Sequence, residues 1–139
     1  MLAAAAKVID SNFFTRIGLR YINVIDAQNT DLIDGWINPK LVQPLLSHKF
    51  AGIQDYAGRL QLISDDGGCL LQHGIRPKQS HRDGKTQFPE YLFDIDAFRN
   101  DVSVSDTESA LDVMHIQAFD VFDWCLGTKA REYLSSKGK

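Results

Sequence analysis

The sequence predicts an α+β fold: an antiparallel sheet of about four strands, in the order β-α-β-β-β-α, with helices packed on one face. Three observations predict it. FFTRIGLRYINVI, residues 13–25, and EYLFDIDAF, residues 90–98, alternate apolar and polar residues with the period of a strand. The turn DDGG, residues 65–68, separates two further alternating runs and reads as a hairpin. Near the C terminus, residues 107 to 126 space their apolar side chains at helical intervals.

The elements follow in order. LAAAAKVID, residues 2–10, favours helix through its alanines, although so short a helix is marginal alone. In the first strand Ile17, Leu19, Tyr21 and Ile25 share one face, and Arg16, Gly18, Arg20, Ile22 and Val24 share the other. DAQNTD is a polar turn in which Thr30 or Asp31 can cap a helix through LIDGWIN, residues 32–38. PKLVQPLLSH continues as helix, with Pro39 suited to its start and Pro44 limiting or kinking it. FAGIQDYA and GRLQLIS, residues 50–57 and 58–64, read as one long bent strand, and CLLQHGIRP, residues 69–77, as its hairpin partner. Leu60, Leu62, Leu71 and Ile75 alternate with polar residues, as expected where one sheet face is covered and the other wet. KQSHRDGKTQF, residues 78–88, is a polar loop. The last strand is residues 90–98. Ser105, Asp106 or Thr107 then caps the long helix, whose buried stripe is Leu111, His115, Ala118, Phe119, Phe122 and Leu126. Gly127 stops it, and Thr128 caps a final short helix, KAREYLSS.

The length, 139 residues, suits a single domain, with residues 1–12 as an N-terminal helical segment and 13–135 as the core. A net charge of −3 gives no broad attraction to nucleic acid or to acidic membranes. Cys69 and Cys125 make neither a metal-ligand pattern nor a disulfide framework, and read as reduced thiols of a cytoplasmic protein. MLAAAAKV is not read as a signal peptide, because Lys7 and Asp10 interrupt its apolar run. No apolar run approaches the roughly 20 residues of a membrane span. No Walker, dinucleotide or zinc-protease spacing occurs, so no cofactor and no metal are expected.

Two strands carry same-face charge pairs of opposite sign, Arg16/Arg20 and Asp94/Asp96. Charges on a central strand need partners. Cross-strand arginine–aspartate pairing would satisfy both, so these strands are expected to be neighbours, with their polar face opposite the helices. Together with Asn23 these residues form the candidate polar face. The bland reading is a solvated sheet face stitched by ion pairs that contribute little. The sharper one is a groove for an anion; a metal is disfavoured because the arginines compete for the carboxylates. His115, on the helical stripe, reads as a satisfied buried histidine bonded to Asn23 or a strand carbonyl. His48, His73 and His81 are scattered, and Cys125 reads as core packing. Arg76, Lys78, His81, Arg82 and Lys85 make a basic loop that could contact phosphates, though a solvated loop is the stronger reading.

TRIGLRYINVID, YLFDIDAF, LDVMHIQAFDVF and GTKAREYL, in this order, resemble the C-terminal half of a sporadically distributed prokaryotic family of proteins roughly 250 residues long. That family carries no assigned activity. The resemblance covers about residues 13–135; its most specific motif is R-x-G-L-R-Y-I-N, and L-x-D-I-D-x-F supports it. Val24 departs from the family pattern, which tends to have arginine there. The resemblance implies no catalytic residues. It implies a fragment or a naturally short form, with an uncovered edge or apolar face that a missing N-terminal half or a second copy would cover. The expected function is a non-enzymatic binding or assembly module acting as a homodimer. The alternative is an enzyme or nucleic-acid-processing protein using Arg16, Arg20, Asp94 and Asp96.

Overall fold

The computed structural model describes residues 2–8, 13–26, 34–47, 49–79 and 86–137. Its strands are β1 (Leu2–Val8), β2 (Phe13–Asp26), β3 (Ala57–Ser64), β4 (Gly67–Gln79) and β5 (Thr86–Ser103). Its helices are α1 (Pro39–Leu46), α2 (Thr107–Cys125) and α3 (Thr128–Lys137), with one 3₁₀ turn, Val104–Asp106, leading into α2. The fold is α+β, and the sheet order is β1-β2-β5-β4-β3. β2 and β5 are therefore neighbours, as the opposed charge pairs require. The four strands foreseen from the sequence are present, and β1 is a fifth at the edge.

β1 is the main departure from the sequence reading, which made residues 2–10 helical. It pairs antiparallel with β2, Ala3 opposite Arg20 and Ala5 opposite Gly18. Alanine's helix preference amounts to only tenths of a kcal/mol per residue, and a segment this short cannot nucleate alone. The ladder along β2 instead gives partners to those of its backbone groups that face β2. Residues 34–38 are not helix either. Gly35 has a φ of +85° and reverses the chain. Residues 50–56 are irregular rather than strand, and Gly52 has a φ of +73° in their midst. β5 is far longer than residues 90–98, since β2 on one side and β4 on the other keep supplying ladder partners. The turn between β3 and β4 is Asp65–Asp66, and Gly67 and Gly68 lie inside β4. A Cβ on Gly67 would run into the carbonyl oxygen of Phe98, and one on Gly68 into that of Leu62.

The residues group into two compact units, each assembled from three segments. The first comprises residues 1–23, 59–72 and 93–122. Its core is Ile17 and Leu19 of β2, Cys69 and Leu71 of β4, Phe93, Ile95 and Ala97 of β5, and Met114 and Ala118 of α2, all buried. Period two in the strands and the four-residue step in α2 bring these together. The expected stripe of α2 is only partly right. Ala118 is buried, but Met114 takes the central place, and Phe119 is 59% exposed.

The second unit comprises residues 24–58, 73–92 and 123–139. Asn38 caps α1 through its side chain, which accepts from the Lys40 N–H, and Pro39 occupies the first turn. Val42 departs from helical geometry two residues before Pro44, so the proline kinks the helix as anticipated. The Asn38 N–H donates to the Cys125 carbonyl, the Gly127 N–H to that of Trp36 and the Lys129 N–H to that of Gly35. These bonds tie residues 35–38 to residues 125–129, the end of α2 and the start of α3. Ile37, Val42, Tyr91, Cys125, Leu126 and Ala130 are buried here.

Candidate functional site

The charged face lies in the first unit and is built by strand alternation. Arg16 and Arg20 leave β2 on the side opposite Ile17 and Leu19; Asp94 and Asp96 leave β5 opposite Phe93, Ile95 and Ala97. In this unit α2 covers the apolar side, where Arg99 of β5 reaches Gln117 of α2, so the charges face away from the helix. Arg20 grips Asp94 with two hydrogen bonds, Nε to Oδ1 at 2.9 Å and Nη2 to Oδ2 at 2.6 Å. This bidentate fork raises the Arg20 pKa beyond its ordinary value, first through the hydrogen bond and then through the charge of Asp94.

The second pair is looser. Arg16 stands 3.8 Å from Asp96 and lays its guanidinium over the Phe98 ring, 4.3 Å from the ring centre. Burial pushes the Asp96 carboxyl up, Arg16 pulls it down, Asp94 adds to the rise, and the net direction is upward. Both arginine side chains are about half exposed, at 54% and 53%, so the face is open. The geometry suits register and solubility: a one-residue slip of β2 would carry both guanidinium groups into the core.

Other candidates are placed differently from the sequence reading. Asn23 falls by alternation on the Tyr21 side of β2, not with the arginines. His115 is exposed rather than buried, and its Nδ1 is hydrogen-bonded to the Tyr21 hydroxyl, not to Asn23 or a strand carbonyl. The two rings are tilted, with centres 5.7 Å apart. Arg76 and Lys78 lie in β4 rather than in a loop, and Arg76 bonds Glu90 at 2.7 Å. That pairing removes Arg76 from any free basic patch. Arg82, Lys85, His81 and His48 lie outside the described residues. Cys69 and Cys125 are buried and form no disulfide, and burial pushes the Cys69 thiol up, away from a reactive thiolate.

One polar cluster was missed by sequence reasoning. His73 of β4, in the second unit, is only 8% exposed, and its Nδ1 lies 2.6 Å from the Tyr91 hydroxyl of β5. The rings stack at an interplanar angle of 25°. Tyr56 completes the group; its ring lies 6.2 Å from His73, and its hydroxyl donates to the Leu41 carbonyl. Gly58 makes room, since a Cβ there would collide with the His73 ring. Burial lowers the His73 pKa, and burial first of all raises that of Tyr91, so both stay neutral. The signal available was that His73 continues the buried alternation Cys69, Leu71.

Among the described residues no group of three or more histidine, cysteine, aspartate or glutamate side chains could hold a metal ion, and no helix is long and apolar enough to cross a membrane. No protein-family profile, curated protein or solved structure matches the chain.

Proposed function

We propose that the chain is a non-enzymatic binding or assembly module that works as a homodimer. One observation carries the reading: arginines engage the carboxylates of the polar face. A general base or a metal ligand needs a carboxylate oxygen free to take a proton or a cation. Arg20 holds both oxygens of Asp94, and Arg16 stands beside Asp96. The resemblance to a prokaryotic family without assigned activity points the same way, and two buried cysteines that form no disulfide suit a cytoplasmic location.

A second reading, an enzyme or nucleic-acid-processing protein, draws on Asp96, whose carboxyl is raised by burial and held at 3.8 Å rather than gripped. Two measurements separate them. Sedimentation velocity is expected to give the mass of a dimer at tens of micromolar chain. Thermal unfolding is expected to be unmoved by Mg²⁺, Mn²⁺ or inorganic phosphate. A saturable rise in Tm that disappears in Asp96→Asn would replace the assembly reading with the second one. A monomer at that concentration would remove the homodimer.

A further inference from the structure

We infer that the homodimer forms by antiparallel pairing of β3 with β3 of a second copy, which joins the two sheets edge to edge. The inference rests on the assembly reading above and names its interface. β3 ends the sheet order, and among the described residues no strand pairs with its outer side. Its stretch within the first unit, RLQLIS, is exposed at every residue. Leu60 and Leu62 are 44% and 42% exposed and Ile63 is 77% exposed. Leu60 and Leu62 share one face of the strand and Ile63 lies on the other, and all three stay exposed in the described chain.

A natural open edge is blunted by lysine, proline or a bulge. β3 carries none of these, and its one charge is Arg59. The backbone adds direction. The Ile75 N–H donates to the Tyr56 carbonyl, so even-numbered residues along this strand turn their peptide groups toward β4. Arg59, Gln61 and Ile63 turn theirs outward, ready to pair. A two-fold axis through Leu62 sets Gln61 opposite Ile63 of the second copy, outward group against outward group. The same register sets Arg59 opposite Asp65 of the second copy, twice by symmetry. Arg59 and Asp65 are both exposed, and neither has an ion-pair partner among the described residues. The strand is thus complementary to itself in backbone and charge, with Leu62 meeting Leu62 at the axis, as a closed two-fold contact requires.

The register is testable by cross-linking. Leu62→Cys places the two new thiols at facing positions, where mild oxidation is expected to yield a covalent dimer. Leu60→Cys sets its two thiols about 13 Å apart along the strands and is expected to give none. Wild-type chain serves as the control, since its two cysteines are buried. Ile63→Lys, at a position exposed in the single chain, is expected to weaken self-association by at least about tenfold. A wild-type dimer that resists Ile63→Lys and leaves Leu62→Cys uncross-linked would overturn the β3 interface while keeping the homodimer. A wild-type monomer would overturn both. Species larger than a dimer would also overturn it, because they would point to head-to-tail pairing of β3 with β1.

Discussion

The two units each carry a polar cluster, and the clusters are built on opposite terms. In the first, half-exposed arginines hold partly buried carboxylates: Arg20 on Asp94, Arg16 beside Asp96. In the second, neutral groups are hidden and share hydrogen bonds: His73 with Tyr91, Tyr56 with the Leu41 carbonyl. Water can replace a lost partner in the first cluster but not in the second. The two clusters are therefore not equally vulnerable. An open ion pair fixes register at little energetic risk, whereas a buried hydrogen-bonded histidine is costly to disturb.

The sharpest break of that comparison is His73→Ala. It removes a buried ring, opens a cavity and takes a hydrogen bond from Tyr91, for an expected loss of about 2–4 kcal/mol. Tyr91→Phe keeps the ring and removes the hydroxyl that meets Nδ1, for about 1–3 kcal/mol. Urea melts of both variants measure this. A loss below about 0.5 kcal/mol for His73→Ala, the range of an ordinary surface change, would mean that the cluster is not held as described.

The same histidine sets a pH dependence. Burial depresses its pKa in the folded chain, so below about 6.5, the ordinary histidine value, the unfolded chain binds a proton that the folded chain refuses. Stability due to His73 is full above that value and is lost as pH falls toward the folded-state pKa. Denaturant midpoints between pH 7 and pH 5 should decline in wild type. A His73→Gln variant, which cannot titrate, should decline less. Equal slopes would remove His73 as the cause.

In the first unit a smaller effect is expected from charge reversal. Asp94→Arg sets two cations side by side, and Arg20→Asp two carboxylates. Each single variant should melt below wild type, and by less than His73→Ala does. The double variant restores opposite signs and should recover most of the loss. No recovery in the double variant would show that the pair does not act as a unit.

The charged face was legible in the sequence because charge on alternate residues of an otherwise apolar strand has few physical explanations. Arg16 with Arg20 and Asp94 with Asp96 named each other as partners, and with them the adjacency of β2 and β5. The hairpin at Asp65–Asp66 and the stop of α2 near Gly127 were legible for the same reason: local chemistry decides them. His73 was not. One histidine among alternating residues looks alike whether water or Tyr91 meets it, and only the tertiary pairing of β4 with β5 settles which. β1 was misread because alanine has a helix preference and little else, so a long-range ladder overrode it. The exposure of Leu60 and Leu62 was invisible as well, since their pattern reads as a covered face while the described chain leaves both exposed.

The gentlest probe of the comparison is Asp96→Asn, and its sign is what matters. Burial raises the Asp96 carboxyl despite Arg16, so above the ordinary aspartate value of about 3.9 the folded chain holds a proton that the unfolded chain has released. Stability due to Asp96 therefore falls as pH rises through this window, opposite in sign to the His73 contribution. At neutral pH the ionised carboxylate sits in a half-buried place at some cost. Asparagine removes that cost and gives up only the 3.8 Å contact with a half-exposed arginine. The variant should lie within about 0.5 kcal/mol of wild type at pH 7, on the more stable side. Its stability should also climb more steeply from pH 4 to pH 6, with the His73 slope no longer opposed. A variant clearly less stable than wild type at pH 7 would make Arg16–Asp96 a true structural bond, and the two ends of the charge ladder would then be equals.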